Sequence, residues 1–349
     1  MHCTVASIAL VASLAGQAAA LGGDAIVRVR QLYQFPNATQ FVENIAIRPN
    51  GHLLLNTFDD GRMYTLDPRR HHHGGDDNGA ARLVVKVPGV TGLTGIAEIA
   101  PDVFAVSAGV NNLSDYSFVA GTARILTVDF NRRAGAGGGG PVVRTAARLP
   151  SAQILNGLVA LPRHPHILNG LVALPRHPHV VLSADSKAGR VLRTDTTTGR
   201  VDVAFADARL APGDVPPGLP TLGINGIKIH GGFLYLTTSA QRVFARVRID
   251  EWGRRVGDLE QLAQLPLSPP KVPDDFSVAR DGTAYVATHL DTLVKVAPDG
   301  RWTPLVVAEG DVKLDSPTST ALTRDEKTLY VVTGGGTGGK GGQVLAVQL

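Results

Sequence analysis

The chain of 349 residues is poor in the residues that most readily disclose a function. It has one cysteine, Cys3, so a disulfide framework and a cysteine-built metal site are both excluded, and a packed core must carry the stability. No HExxH zinc motif occurs. Only 18% of residues are charged, too few for a disordered or coiled-coil chain. The 34 Lys and Arg exceed the 30 Asp and Glu by four, but the arginines are scattered and no basic stripe interleaved with aromatics appears, which speaks against a nucleic-acid partner. After the first twenty residues no apolar run is long enough to cross a bilayer.

What the chain has is turns. Forty Gly and 22 Pro are spread along its length, as many short strands require. Residues 1–20, MHCTVASIALVASLAGQAAA, form an apolar run ending in Ala18-Ala19-Ala20, a signal-peptide pattern with cleavage before Leu21. The expected mature chain is one domain, residues 21–349, in the secretory pathway, secreted or in a vesicle lumen. Asn37-Ala38-Thr39 and Asn112-Leu113-Ser114 are then glycosylation acceptors.

A strand, turn, strand phrase recurs six times: FVENIAIRPNGHLLLNT, LTGIAEIAPDVFAVSAG, LNGLVALPRHPHVVLSAD, INGIKIHGGFLYLTTS, PDDFSVARDGTAYVATH and SPTSTALTRDEKTLYVVTG. Roughly four strands per unit of about 50 residues is the arithmetic of a propeller blade. The fold class is all-β, a six-bladed β-propeller. Because an open array leaves exposed edges, AIVRVRQLYQF at 25–35 is expected to close the ring by completing the sixth blade. The Gly-rich segments at 71–79 and 134–140 then fall at blade peripheries. An exact duplication, ILNGLVALPRHPH at 154–166 and again at 167–179, interrupts the third blade. The second copy runs directly into VVLSAD, so it is expected in the sheet with the first as an insertion near the mouth; the sequence leaves the reverse open.

Inner strands of a propeller bring their first residues to the central channel. Here these are Glu43, Thr94, Asn169 (or Asn156), Asn225, Asp274 and Ser319. Two carboxylates and two carboxamides make a hard oxygen set suited to Ca²⁺ or Mg²⁺; taken singly, each residue has an ordinary alternative as a turn cap. Other motifs fail in context. Gly135, Gly137 and Gly140 have the G-x-G-x-x-G spacing, and Gly334 to Lys340 nearly makes a phosphate loop, but strands follow where helices are required. His71, His72 and His73 read as a solvated hairpin tip.

The whole pattern resembles the senescence marker protein and gluconolactonase family of six-bladed propellers. That resemblance implies metal positions at Glu43, Asn169, Asn225 and Asp274. The chain departs from it with Asn-Ile-Ala after Glu43 and with Asp275 in place of Gly after Asp274. It is more closely similar to a fungal branch recognisable by Phe-Val-Glu-Asn-Ile-Ala at 41–46, Gly-Ile-Ala-Glu-Ile-Ala-Pro-Asp-Val-Phe-Ala-Val at 95–106, Leu-Gly-Ile-Asn-Gly-Ile at 222–227 and Pro-Asp-Asp-Phe at 273–276. Members of that branch resemble hetero-Diels-Alderases, which implies a cofactor-independent pericyclase joining a tropolone-derived quinone methide to a sesquiterpene such as humulene. The alternatives are a Ca²⁺-dependent lactonase and a non-catalytic ligand-binding propeller.

A cycloaddition needs no nucleophile, only an apolar cavity that holds two small molecules in a reactive pose. Phe41, Phe58, Leu93 and Phe276 are candidates to line it, with a core position left open as the alternative for Phe276, and Asn56, Asn111, Asp185, Ser239 and His289 stand at the ends of second strands. Asn169, Asn225 and Ser319 are expected to contact substrate. His289 is the candidate acid, with an ordinary solvent-exposed histidine as its alternative, and Asp274 and Glu43 are the further catalytic candidates.

Overall fold

The computed structural model describes residues 25–70, 80–112, 117–133, 139–161, 177–213, 215, 221–265, 271–307 and 312–349. The signal-peptide reading, with Cys3, and His71 to His73 lie outside the described residues.

The chain begins with strand β1 (Ala25–Gln34). Blade 1 follows as β2 (Val42–Ile47), β3 (Leu53–Thr57), β4 (Arg62–Leu66) and β5 (Arg82–Lys86). Blade 2 holds β6 (Gly92–Ala100) and β7 (Val103–Gly109), then a small hairpin of β8 (Asn111–Asn112) and β9 (Ser117–Phe118), then β10 (Arg124–Arg133) and β11 (Pro141–Arg148). Blade 3 is β12 (Leu155–Ala160), β13 (Val180–Asp185), β14 (Arg190–Asp195) and β15 (Val201–Ala206). Blade 4 is β16 (Ile224–His230), β17 (Phe233–Thr238), β18 (Val243–Ile249) and β19 (Arg255–Gln264). Blade 5 is β20 (Pro273–Val278), β21 (Ala284–Thr288), β22 (Thr292–Val296) and β23 (Trp302–Val307). Blade 6 has β24 (Pro317–Leu322), β25 (Thr328–Thr333) and β26 (Gln343–Gln348), and takes β1 as its outer strand.

The closure expected from the sequence is therefore present. Arg28 to Gln34 pair antiparallel with Gln348 to Gln343, while Ala25 to Val27 pair parallel with Leu305 to Val307. One strand thus joins blades 5 and 6 into a continuous eight-stranded sheet. The tight turns follow local chemistry: Gly51 (φ 86) and Gly282 (φ 87) supply the left-handed residue that a hairpin needs and that side chains resist. The core lies between blades. Six clusters fill the six junctions, as with Leu54, Met63, Phe104 and Val106 between blades 1 and 2, and Leu32, Phe35, Leu53 and Val344 between blades 6 and 1.

Every inner strand carries one extra residue against its neighbour at the same height. The shifts fall between Val42 and Asn44, Leu93 and Ile96, Leu155 and Leu158, Ile224 and Ile227, Pro273 and Phe276, and Pro317 and Ser319. A bulge of this kind leaves a residue unpaired and re-aims its side chain.

The duplication corrects one expectation. The first copy, not the second, forms the inner strand: β12 pairs with β13, and Leu161 N donates to Val180 O. Asn156 therefore takes the place expected for Asn169, which lies outside the described residues. The reason is geometric. Ala152 and Ile154 are buried and the Gln153 and Ile154 amides bond the Asp185 carboxylate, so β11 passes to β12 by a short tied crossover and the surplus falls in the β12–β13 connection.

Two outcomes follow from this architecture. Deleting the chain through Phe35 removes Val27, Val29, Leu32 and Phe35 from the core and bares the edges of β23 and β26; the truncated protein should aggregate, and a monomer with unchanged thermal unfolding would show the closure to be dispensable. Deleting either copy of the duplication yields one and the same chain, so point changes must separate the two. A Cβ at Gly157 would lie 2.5 Å from Asn225 O, so Gly157→Ala should cost about 1–3 kcal/mol in chemical unfolding; an unchanged unfolding midpoint would show that the first copy is not the inner strand.

Candidate active site at the axis

The six bulges build two layers around the axis. Nearer the strand starts stand Glu43, Thr94, Asn156, Asn225, Asp274 and Thr318; one residue further on stand Asn44, Gly95, Gly157, Gly226, Asp275 and Ser319. Register thus places Thr318 in the first layer where Ser319 was expected. The Thr318 hydroxyl donates across the closure to Val42 O (2.7 Å), and Ser319 belongs with Asp275.

The second layer is a closed polar network. The carboxylate of Asp275 accepts from Lys228 Nζ (2.5 Å), Phe276 N (2.8 Å) and Asn44 Nδ2 (3.0 Å). Ser319 Oγ lies between Asn44 Oδ1 (3.0 Å) and Asp275 Oδ2 (3.3 Å). Gly226 makes room for that carboxylate, since a Cβ there would fall 2.5 Å from Asp275 Oδ1. Blades 4, 5, 6 and 1 are joined by this one charge.

The first layer is less satisfied. His289 Nε2 lies 2.7 Å from Asp274 Oδ2, and its Nδ1 lies 2.9 Å from Ser316 Oγ, so the imidazole bridges blades 5 and 6. Asn225 Nδ2 donates to Ser239 Oγ (2.8 Å), which in turn donates to Pro273 O (2.9 Å). Among the described residues the buried Asn225 Oδ1 has no hydrogen-bond partner. Burial, then the neighbouring charges of Asp274 and Asp275, push the Glu43 carboxyl well above the usual carboxylate range. Burial also raises Asp274, opposed by its bond to His289. A proton or another positive group is therefore favoured at this layer.

Of the expected site residues, Glu43, Asp274, His289 and Asn225 come together. Phe41 and Phe58 also meet, ring centroids 5.4 Å apart, above blade 1; Gly334 packs under Phe41, and Gly92 under Phe58 close to Asn111. Four other candidates are fully buried. Phe276 is fully buried edge-on to Phe244, and Leu93 is fully buried between blades 1 and 2, so both are core residues. Asp185 is sealed beneath Arg190 (2.9 Å). Asn56 is fully buried, its Nδ2 donating to Thr94 O (2.7 Å). The sequon residues Asn37 and Asn112 are both exposed, the second in β8; Ser114 lies outside the described residues.

Lys228, Asn44 and Ser316 were not foreseen. The signal for the first was a lysine inside the apolar strand INGIKIH; the others had none, because their partners lie in different blades. Among the described residues no three His, Cys, Asp or Glu gather as a metal site. The oxygen set Glu43, Asn225 and Asp274, with Asn225 Oδ1 lacking a donor and both carboxyls raised, nevertheless has the chemistry that a hard cation such as Ca²⁺ takes.

No family model matches the chain. It is 27% identical over 336 residues to the "Putative hetero-Diels-Alderase asR5" of Sarocladium schorii, covering 87% of this chain and 76% of that protein. It is 29% identical over 316 residues to a "Putative hetero-Diels-Alderase" of a Phoma species, covering 87% and 86%. Among solved structures, the calcium-binding protein regucalcin from Agrobacterium tumefaciens matches with a TM-score of 0.59 at 14% identity, over 94% of this chain and 97% of that one. A gluconolactonase from Xanthomonas campestris matches at 0.53 and 13%, over 95% and 91%. These last two carry the fold alone. The resemblance expected from the motifs is thus present in both sequence and architecture.

The state of Glu43 is open to measurement. With its pKa raised on folding, the stability tied to its proton is fully present below the ordinary carboxylate range and is lost as pH rises through the raised value. Glu43→Gln removes that loss. Its Tm in chelator should exceed that of the unaltered protein by about 2 °C at neutral pH, with the gain vanishing toward acid pH; a gain independent of pH would mean Glu43 is ionised in the fold.

Proposed function

We propose that the protein is a cofactor-independent pericyclase of hetero-Diels-Alderase type. The observation that carries this reading is a raised carboxyl, Glu43, beside a carboxylate–imidazole pair, Asp274 and His289, below an aromatic rim of Phe41 and Phe58. The relatives named for that activity support it. Its substrates on this reading are a tropolone-derived quinone methide precursor and a sesquiterpene alkene such as humulene, met in the secretory pathway.

Each residue then has a task. His289 passes a proton to the leaving hydroxyl of the precursor, the C–O bond breaks, and water departs; the proton of the ring hydroxyl returns to the His289–Asp274 pair. The quinone methide carbonyl oxygen accepts a hydrogen bond from protonated Glu43, which draws electron density from the heterodiene. The alkene adds, forming one C–C and one C–O bond, with no change in oxidation state and no atom lost. The rim excludes water that would otherwise capture the quinone methide.

A second reading, lactone hydrolysis, is favoured by the buried Asn225 Oδ1, without a partner among the described residues, in the same layer as two raised carboxyls. Glu43, Asn225, Asp274 and Asn156 would hold Ca²⁺, which supplies carbonyl polarisation and an activated water.

Adduct formation from precursor and humulene, followed by chromatography with and without chelator, separates the readings. The cycloaddition should proceed in chelator. Glu43→Gln, which keeps a donor, should retain most of the rate, whereas Glu43→Ala should fall about 100-fold toward background. Loss of all activity in chelator with recovery on adding Ca²⁺ would instead establish the hydrolase reading, and no turnover of adduct or lactone would leave a binding propeller.

A further inference from the structure

Among the described residues six non-glycine residues have a positive φ. Five of them, Asp60, Asp102, Arg242, Ser316 and Glu326, lie between 51° and 62°, in the left-handed well that side chains tolerate. Leu290 stands apart at 130°, a value at which a residue with a Cβ is strained. It is also 46% exposed. Neither backbone preference nor burial accounts for a leucine there in the free protein.

Its surroundings show what holds it. Leu290 directly follows His289, whose amide is fixed to Val272 O (3.0 Å) and whose ring bridges Asp274 and Ser316. Ser316 N donates to Leu290 O (2.7 Å), and Gly334 N donates to Ser316 O (2.7 Å). Gly334 in turn lies so close to Phe41 that a Cβ on it would come within 2.3 Å of the ring, and Phe41 packs on Phe58. On the other side Asp291 is tied to Lys271 (2.5 Å). A continuous tethered rim therefore runs from Leu290 to Phe58 above the first layer of the axis, apolar at both ends.

We propose that Leu290 is the specificity-determining apolar wall beside His289, where the hydrocarbon partner of the reaction docks. The proposal rests on the cycloaddition reading for its ligand class, an unfunctionalised terpene. Docking covers the exposed side chain, and the strained backbone keeps the leucine at the mouth instead of folded away.

The test uses humulene alone, so that binding is read apart from chemistry. Leu290→Ala keeps a Cβ and therefore the strain but loses the apolar bulk; Leu290→Gly loses both. Affinity for humulene by titration calorimetry should fall about 10-fold in both variants, while the Gly variant should unfold about 2 °C above the Ala variant. Leu290→Phe should shift preference toward a smaller C10 terpene. Unchanged humulene affinity in the Ala variant, or no humulene binding by the unaltered protein, overturns the proposal; so does a Gly variant less stable than the Ala variant. If humulene binds in a Leu290-dependent way but no adduct ever forms, the cycloaddition reading fails and the wall stands.

Discussion

The rest of the site depends on one electrostatic problem: Glu43, Asp274 and Asp275 are all nearly buried around one axis. Like charges withdrawn from water cost several kcal/mol each unless paired or neutralised. The protein solves the three cases differently. Asp275 receives an ammonium, a backbone amide and a carboxamide; Asp274 is bonded to the His289 imidazole; Glu43 sits in the field of the other two. The distribution of roles follows from who has a partner. The best-paired carboxylate ties blades together, and on the proposed reading the other two take part in the chemistry.

The same arrangement explains why scaffold and site are hard to separate. Asp275 binds groups from blades 4, 5, 6 and 1, while Thr318 reaches Val42 across the closure, so the polar centre joins the first blade to the last. Around the periphery β1 performs the same task with backbone hydrogen bonds and with Leu32 and Phe35 in the last junction. Closure is thus made twice, once by a strand at the outside and once by a charge at the inside. The repeated bulge makes the second possible, because it presents two successive residues to the axis where a regular strand would turn one of them away.

Much of this was legible in the chain. Alternating apolar runs and Gly-marked turns such as Asn50-Gly51 are local signals, and they specify strands, hairpins and blade number without reference to anything distant. Glu43, Asn225 and Asp274 were found because each opens a repeat. The misplacement of Ser319 for Thr318 came from counting positions in a phrase without knowing where its bulge lay, and Phe276 stayed open between wall and core because an aromatic after a polar pair looks alike on either face.

By itself the sequence determined the all-β class, the six repeats, the closing N-terminal strand and the identity of the main acid–base candidates, since all of these rest on periodicity and on residues adjacent in the chain. Only the tertiary structure decided which of two identical segments enters blade 3, that Lys228 answers Asp275, that His289 spans from Asp274 to Ser316, and that Leu290 stands strained at the mouth. Two identical stretches of chain have identical local preferences. The difference between them lies in the crossover tied to Asp185 and in the Asn225 backbone against Gly157, contacts made across blades that no local pattern encodes.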